Sequence, residues 1–462
     1  MQLMPTVTGD IHTNNTFASA LQCTGRLEKV VPVRYTLMNR NSPVLDFVYD
    51  ATQHAALSVC AEHDLSLAPL AIWNERVARY ATWDTLASLV GRWWTRRGIP
   101  ESRTNLKMAK RLAGFDNPVQ LTSATLGFSL TDQYWVRPEG SDLTWELGNF
   151  FLNDFDDGIG SILAGITDRP DTPSPVSPSA TVDGNLPKMW HVDADDTRVL
   201  RKAGSGVLKQ EPFNEVVATM LYRRLLLPSE YVAYRRETLG YGQYSICACF
   251  VRSDQEFVSA RDIHLSLPGN DASPTRASLL VAAEALGVTD MAGQLDRVLT
   301  CDYILGNIDR HLGNLGALRA CEGGDFKGCA PIFDSGFCLL CYQGDHDQDA
   351  LAVLANPFLP RQAQQLALVQ DLSWFDADAL DGFADQAVDE LAQCHSRYMD
   401  DERLAYLHAF IESGVRTVAE LAHQPAVDPN NISQVEERAK EIDSLRMRFL
   451  ANEGAGALFH VN

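Results

Sequence analysis

The 462-residue chain is predicted to adopt an α+β fold, in which an α+β module is followed by further strands and then by a largely helical tail. Three features predict it. Alternating or β-branched runs recur as far as Val251, helical apolar stripes stand between them, and the sequence from Pro360 onward is helical in pattern. With 45% apolar residues the chain can bury a sizeable core without a disulfide or metal staple.

Residues 1–28 form a polar leader without periodicity. Residues 31–37 alternate and are β-branched, which predicts a strand; 39–43 is a turn, and 44–49 a second strand. Residues 69–91 are predicted to be helical. So is the stretch around 102–112, after the Gly98-Ile99-Pro100 break. Trp145, Phe150, Phe151 and Phe155 mark 143–163 as core, and the N-terminal module is placed at 29–167. Residues 168–179 contain Pro170, Pro173, Pro175 and Pro178, which predicts an extended linker. Beyond it, 197–202 is a strand and 213–227 a helix with its stripe at Phe213, Val216, Val217, Met220, Leu221 and Leu225. Residues 245–251 form another strand. Leu295, Val298, Leu299 and Tyr303 mark a buried helix, and the tail ends in a charged helix over 433–450.

Composition narrows the function. A net charge of −21 argues against a broad phosphate-binding face, so no direct nucleic-acid contact is expected of this chain. No apolar run approaches the roughly 20 residues that span a bilayer. Residues 1–15 lack a signal-peptide pattern, so the expected location is the cytoplasm, away from membranes. Of the ten cysteines, only Cys338-x-x-Cys341 and Cys247-x-Cys249 are closely spaced. Both pairs lie in apolar, strand-like runs and read as buried thiols. A zinc site of Cys321, Cys329, Cys338 and Cys341 has no standard knuckle spacing behind it.

Two short segments carry the chemistry. Asn307-Ile308-Asp309-Arg310-His311-Leu312-Gly313-Asn314 is a polar loop directly after a buried helix, where catalytic groups tend to be held. Asp309 and Asn314 stand five positions apart, the separation kinases use between the catalytic aspartate and a magnesium-binding asparagine. The carboxylate can accept a hydroxyl proton; the neutral amide oxygen binds a hard cation without adding negative charge. His311 is read as a residue bracing the loop, while Arg310 is left open between contacting phosphate and bracing Asp334. In the second segment, Ile332-Phe333-Asp334-Ser335-Gly336, an apolar strand is expected to deliver one aspartate as a second metal ligand, and Gly336 permits a turn. A hairpin with its tip at 322–327 is predicted between the two.

Upstream, alternation puts Leu200 and Lys202 on one face of their strand, from which the lysine would reach nucleotide phosphates. Glu215 lies opposite the apolar stripe of its helix, and is predicted to pair with Lys202. Residues 177–188 are rich in small and hydroxyl side chains and read as a phosphate-covering loop. Ser179, Thr181 and Gly184 are the candidate phosphate contacts there. Ser177, Ser179 and Thr181 are also candidate self-phosphorylation positions.

In this order, the segments resemble the HipA-like kinases, a branch related to phosphatidylinositol kinases through the Asp-Arg-His-x-x-Asn loop, here Asp309 to Asn314. The similarity extends over most of the chain, including 35–49, 93–103 and 126–135 in the N-terminal module. The resemblance implies a protein-kinase-like two-lobe fold, with a β-rich N-lobe (180–260) and a helical C-lobe (261–455). It implies ATP with magnesium as cofactors and transfer to Ser or Thr of a protein substrate. Asp309 would then be the catalytic base, Asn314 and Asp334 the metal ligands, and Lys202 the phosphate contact. A lipid or small-molecule kinase, and a non-catalytic nucleotide-binding regulator, are the rival readings. An antitoxin-like or regulatory partner is a further implication, although the N-terminal module, at about 165 residues, is longer than in the toxin members.

Overall fold

The computed structural model describes residues 32–50, 55–166, 174–270, 273–342 and 354–452. The leader at 1–28 and residues 168–173 of the predicted linker lie outside them. The fold is mixed α/β, built from antiparallel sheets and helices.

The first sheet runs in the order β3-β2-β1-β4, with β1 (Val33–Asn39), β2 (Ser42–Asp50), β3 (Ala55–Glu62) and β4 (Tyr134–Pro138). The sequence predicts β1 and β2. It misses β3 and β4, because Ala-rich 55–62 carries little β-branched character and β4 is only five residues long. The predicted helix at 69–91 is instead two helices, Glu75–Tyr80 and Trp83–Arg96. Asn74 and Thr82 each cap one, accepting the backbone N–H of Val77 and Thr85, so periodicity alone ran two elements together. Trp93, Trp94, Trp135, Trp145 and Phe150 close the core of this region.

That core continues past the predicted linker, taking in Val182 and Trp190. Residues 177–179 are buried, and Pro178–Thr181 forms a 3-10 turn rather than an extended spacer. Ala180 packs with Ile99, Leu106, Leu121 and Ile159.

The second sheet runs β5-β6-β8-β7, with β5 (Lys188–Val192), β6 (Arg198–Ala203), β7 (Tyr234–Leu239) and β8 (Gly242–Ala248). Lys188 lies directly opposite Lys202, so the two project from one face. A third sheet of β9 (Gln255–Ser259), β10 (Gly316–Ala320) and β11 (Phe326–Cys329) holds the hairpin predicted between Asp309 and Asp334. The segment that delivers Asp334 forms one parallel bridge, Ile332 to Tyr231, rather than a strand.

The largest core belongs to the helical half. Leu295 and Leu299 of the helix Met291–Leu305 pack there with Phe410 of Asp401–Leu421 and Ile442 of Ile432–Asn452. Phe213, Val217 and Leu221 of the helix Glu211–Leu225 join the same core, which fixes that helix against the loops described next.

Candidate active site

The helix Met291–Leu305 stops at Gly306, in left-handed backbone (φ 64°); a side chain there would meet the Phe410 ring. One turn before the end, Asp302 collects the loop that follows. It accepts Nδ2 of Asn307 (2.9 Å) and both arms of Arg310 (2.8 and 3.0 Å). Asn307 Oδ1 accepts the Asp309 N–H (3.1 Å), and Asn314 Nδ2 donates to the Asp309 carbonyl (3.1 Å). The backbone around Asp309 is thus fixed from both sides. Among the described residues, no hydrogen bond engages its carboxylate.

Arg310 is fully buried. Besides Asp302, its guanidinium donates to Ser335 Oγ (2.8 Å), to Phe333 O (2.5 Å) and weakly to Asn314 O (3.4 Å). Of the two roles left open by the sequence, the geometry selects bracing: Arg310 ties the Asp309 loop to the residues flanking Asp334 and offers nothing to a phosphate. His311 also serves the loop, its Nδ1 accepting the Gly313 N–H (3.0 Å).

Asp334 adopts left-handed backbone (φ 59°), which an aspartate tolerates better than most side chains but which still needs support. Lys202 supplies part of it. Its Nζ donates to Asp334 Oδ1 (2.7 Å), Glu215 Oε1 (2.9 Å) and Tyr234 OH (3.2 Å). The predicted pairing of Lys202 with Glu215 therefore forms. Glu215 Oε2 accepts the Ser335 N–H (3.0 Å), and Tyr222 OH meets Ser335 Oγ (2.7 Å).

Burial opposes the charges in this cluster, and the partners decide the outcome. At Lys202, Asp334 and Glu215 more than offset burial and hold the ammonium well above the ordinary lysine range. At Asp334, Lys202 and Lys188 outweigh burial and keep the carboxyl below the usual carboxylate range. At Glu215 burial wins and the pKa rises, against the lowering pull of Lys202. Asp309 is likewise raised, by burial first and by the charge of Asp334, against the lowering pull of His311, Arg310 and Lys188. Asp334 and Lys188 thus both act on the charge of Asp309, in opposite directions.

Lys188 is the residue the sequence reading missed. It is buried at 5% exposure, donates to the Asp183 carbonyl (2.8 Å), and has its pKa pushed down to about 8, by burial before all else. Its register opposite Lys202 was the available signal, had 188–192 been recognised as a strand.

The predicted phosphate-covering loop needs correction. Ser179 and Thr181 are buried and committed to protein partners. Ser179 Oγ accepts the Trp190 N–H (3.0 Å), and the Thr181 hydroxyl donates to Phe128 O (2.9 Å). Ser177 Oγ accepts the Ser179 N–H (3.3 Å). The cause is the N-terminal module, which packs over this turn; Gly160 makes room, since a Cβ there would stand 2.8 Å from Ser179 Oγ. The Gly184 N–H is taken by Asp183 (2.6 Å) and its carbonyl by Arg103 (2.8 Å). At Gly184 (φ 90°) a Cβ would collide with Lys188 Nζ, so the glycine admits the lysine rather than a phosphate in this arrangement.

The donor set suits a magnesium–triphosphate. Asp334 Oδ2 is not taken up by a hydrogen bond among the described residues, and Asn314, its Nδ2 spent on Asp309, keeps Oδ1 as acceptor. One carboxylate and one amide oxygen fit magnesium, which is held by few protein ligands and completed by phosphate oxygens. Lys188 and Lys202 would balance the phosphate charge. No cluster of three or more His, Cys, Asp or Glu that could hold a metal exists among the described residues, so the cysteine zinc site is not formed there. Cys338 is buried, and Cys329 turns to the Thr289 carbonyl. Among the described residues no helix is long and apolar enough to cross a membrane.

No family model and no curated protein matches the chain. Solved structures similar to it include the following two. The proinflammatory kinase CtkA of Helicobacter pylori aligns with TM-score 0.36 and 17% identity, over 55% of this chain and 95% of that one. HipA of Shewanella oneidensis MR-1, from a toxin–antitoxin complex with HipB and operator DNA, aligns with TM-score 0.44 and 14% identity, over 90% of this chain and 97% of that one. The net-charge argument against nucleic-acid contact gains no support from a neighbour solved with DNA. At these TM-scores the likeness carries no argument, and the functional reading has to stand on the geometry of the site.

Proposed function

We propose that the protein is a magnesium–ATP-dependent phosphotransferase, acting on a serine or threonine hydroxyl of a protein. One observation carries this reading: Lys202 bridges Glu215 and Asp334, while Arg310 ties the Asp309 loop to the Phe333 carbonyl and the Ser335 hydroxyl on either side of Asp334. These contacts tie together four segments far apart in sequence, and in this reading they supply a cation for phosphate, oxygen ligands for a metal and, in Asp309, a carboxylate that takes no hydrogen bond among the described residues. The bound metal would neutralise the charge of the phosphates. Asn314 and Asp334 would hold it, Lys202 and Lys188 would bind phosphate oxygens, and Asp309 would orient the acceptor hydroxyl and take its proton.

A protein substrate and an antitoxin-like or regulatory partner belong to this proposal. The division into an N-lobe at 180–260 and a C-lobe at 261–455 remains its working frame. The test is transfer of radiolabelled γ-phosphate by wild type and Asp309→Ala. Labelling of the protein itself or of an added protein, abolished by the substitution, supports the proposal. ATP binding without turnover by wild type would replace it with a nucleotide-binding regulator.

A further inference from the structure

The backbone just beyond Asp334 is unusual. Leu339 (φ 49°) and Leu340 (φ 55°), both buried, adopt left-handed conformations in succession, five residues after Asp334 does the same. Such conformations persist only where the surroundings over-determine them. Here residues 336–341 belong to no helix or strand, and side chains hold four of their carbonyls. Asn214 Nδ2 donates to both Gly336 O and Cys338 O, each at 2.8 Å. Gln210 Nε2 donates to Leu339 O (3.0 Å), and Arg403 to Leu340 O (2.8 Å). The holding groups are themselves linked, Gln210 Nε2 to Asn214 Oδ1 (2.9 Å) and Arg403 to Gln210 Oε1 (3.4 Å). This link orients the Asn214 amide with its two donors toward the segment.

Asn214 is also the neighbour of Glu215. Consecutive residues of one helix therefore take the Ser335 N–H and the Gly336 carbonyl. We propose that Asn214, seated by Gln210, is a positioning residue that sets the Asp334 carboxylate for its metal ion by fixing the left-handed backbone behind it. The inference rests on the reading of Asp334 as a metal ligand. Asn214 touches neither metal nor nucleotide; it acts through the chain it holds.

The test is a Mn²⁺ titration followed by electron paramagnetic resonance, on the full-length protein with a non-hydrolysable ATP analogue. Asn214→Asp keeps the shape and turns an acceptor toward two carbonyls; Asn214→Ala removes the grip. Both are expected to weaken Mn²⁺ binding about tenfold, while analogue affinity in EDTA changes less than about twofold and circular dichroism stays native. Mn²⁺ affinity within about twofold of wild type overturns the inference, as do equal losses in Mn²⁺ and metal-free analogue binding. If the Asn214 variants do not fold, Gln210→Glu is used, with a loss of about threefold expected. Unfolding of all three variants assigns these residues to stability alone and refutes the positioning role. A wild type that binds no Mn²⁺ with the analogue refutes the reading of the site itself. A wild type that binds both, with unchanged variants, refutes only this inference.

Discussion

The most informative perturbation is removal of the Arg310 guanidinium. It is fully buried, and its partner Asp302 is 5% exposed, so solvent screens the pair little. In Arg310→Met the Asp302 carboxylate keeps Asn307 Nδ2 as its one hydrogen-bond donor among the described residues. Breaking a buried pair from one side costs about 3–5 kcal/mol, a large part of the roughly 5–15 kcal/mol that holds a typical domain. Asp302→Leu should cost a similar amount, by stranding the guanidinium. In Arg310→Met/Asp302→Leu neither charge is stranded, and about 2–3 kcal/mol of the summed loss should return as coupling. Phosphoryl transfer should behave differently. The double variant still lacks the donors to Phe333 O, Ser335 Oγ and Asn314 O, so transfer should remain about 100-fold down, or about 2.7 kcal/mol in the barrier. Urea unfolding by circular dichroism and the radiolabel assay separate the two effects. Single changes under about 1 kcal/mol, strictly additive losses, or recovery of transfer in the double variant would each refute the bracing role.

Four further outcomes follow from the site. Asp309→Ala should abolish transfer while moving stability by less than about 1 kcal/mol, because no hydrogen bond engages its carboxylate; both are read from the same two assays. In wild type, the raised pKa of Asp309 should put the acid limb of kcat/KM above the ordinary aspartate value, since the base acts deprotonated. The same raised pKa means that the folded state holds its proton to higher pH than the unfolded state, so this group's contribution to stability falls as pH rises through that window, observable by unfolding across pH. For Lys188, with its pKa near 8, ATP affinity should fall as pH rises through about 8, and Lys188→Met should weaken binding below that pH and flatten the dependence; isothermal titration at several pH values decides it.

Much of the site was legible in the sequence because its parts lie in short local patterns. The Asp309–Asn314 spacing, the Asp334-Ser-Gly turn and the alternation that sets Lys202 on one face of its strand each need only a few adjacent residues, and the tertiary fold had merely to bring them together. What stayed hidden depends on contacts from far along the chain. The small, hydroxyl-rich stretch around Ser179 looks like an open loop until Phe128 and Gly160, from the N-terminal module, are seen against it. Lys188 reads as the end of that loop until its strand is paired with β6. Asn214 reads as one polar position in an amphipathic helix, and nothing local says that it grips Gly336 and Cys338 more than 120 residues later. In the fold, the capping residues Asn74 and Thr82 were present in the sequence and would have split the helix at 69–91 had caps been weighed above periodicity.

The central claim is that Asp309, Asn314 and Asp334 meet around one metal-bound triphosphate. A crystal structure with magnesium and a non-hydrolysable ATP analogue tests it directly. The account predicts a metal ion bound by the Asp334 carboxylate and the Asn314 amide oxygen, phosphates on Lys202, and the Asp309 carboxylate facing the terminal phosphorus. Nucleotide bound elsewhere on the protein, or a cleft that stays empty at saturating analogue, would contradict it.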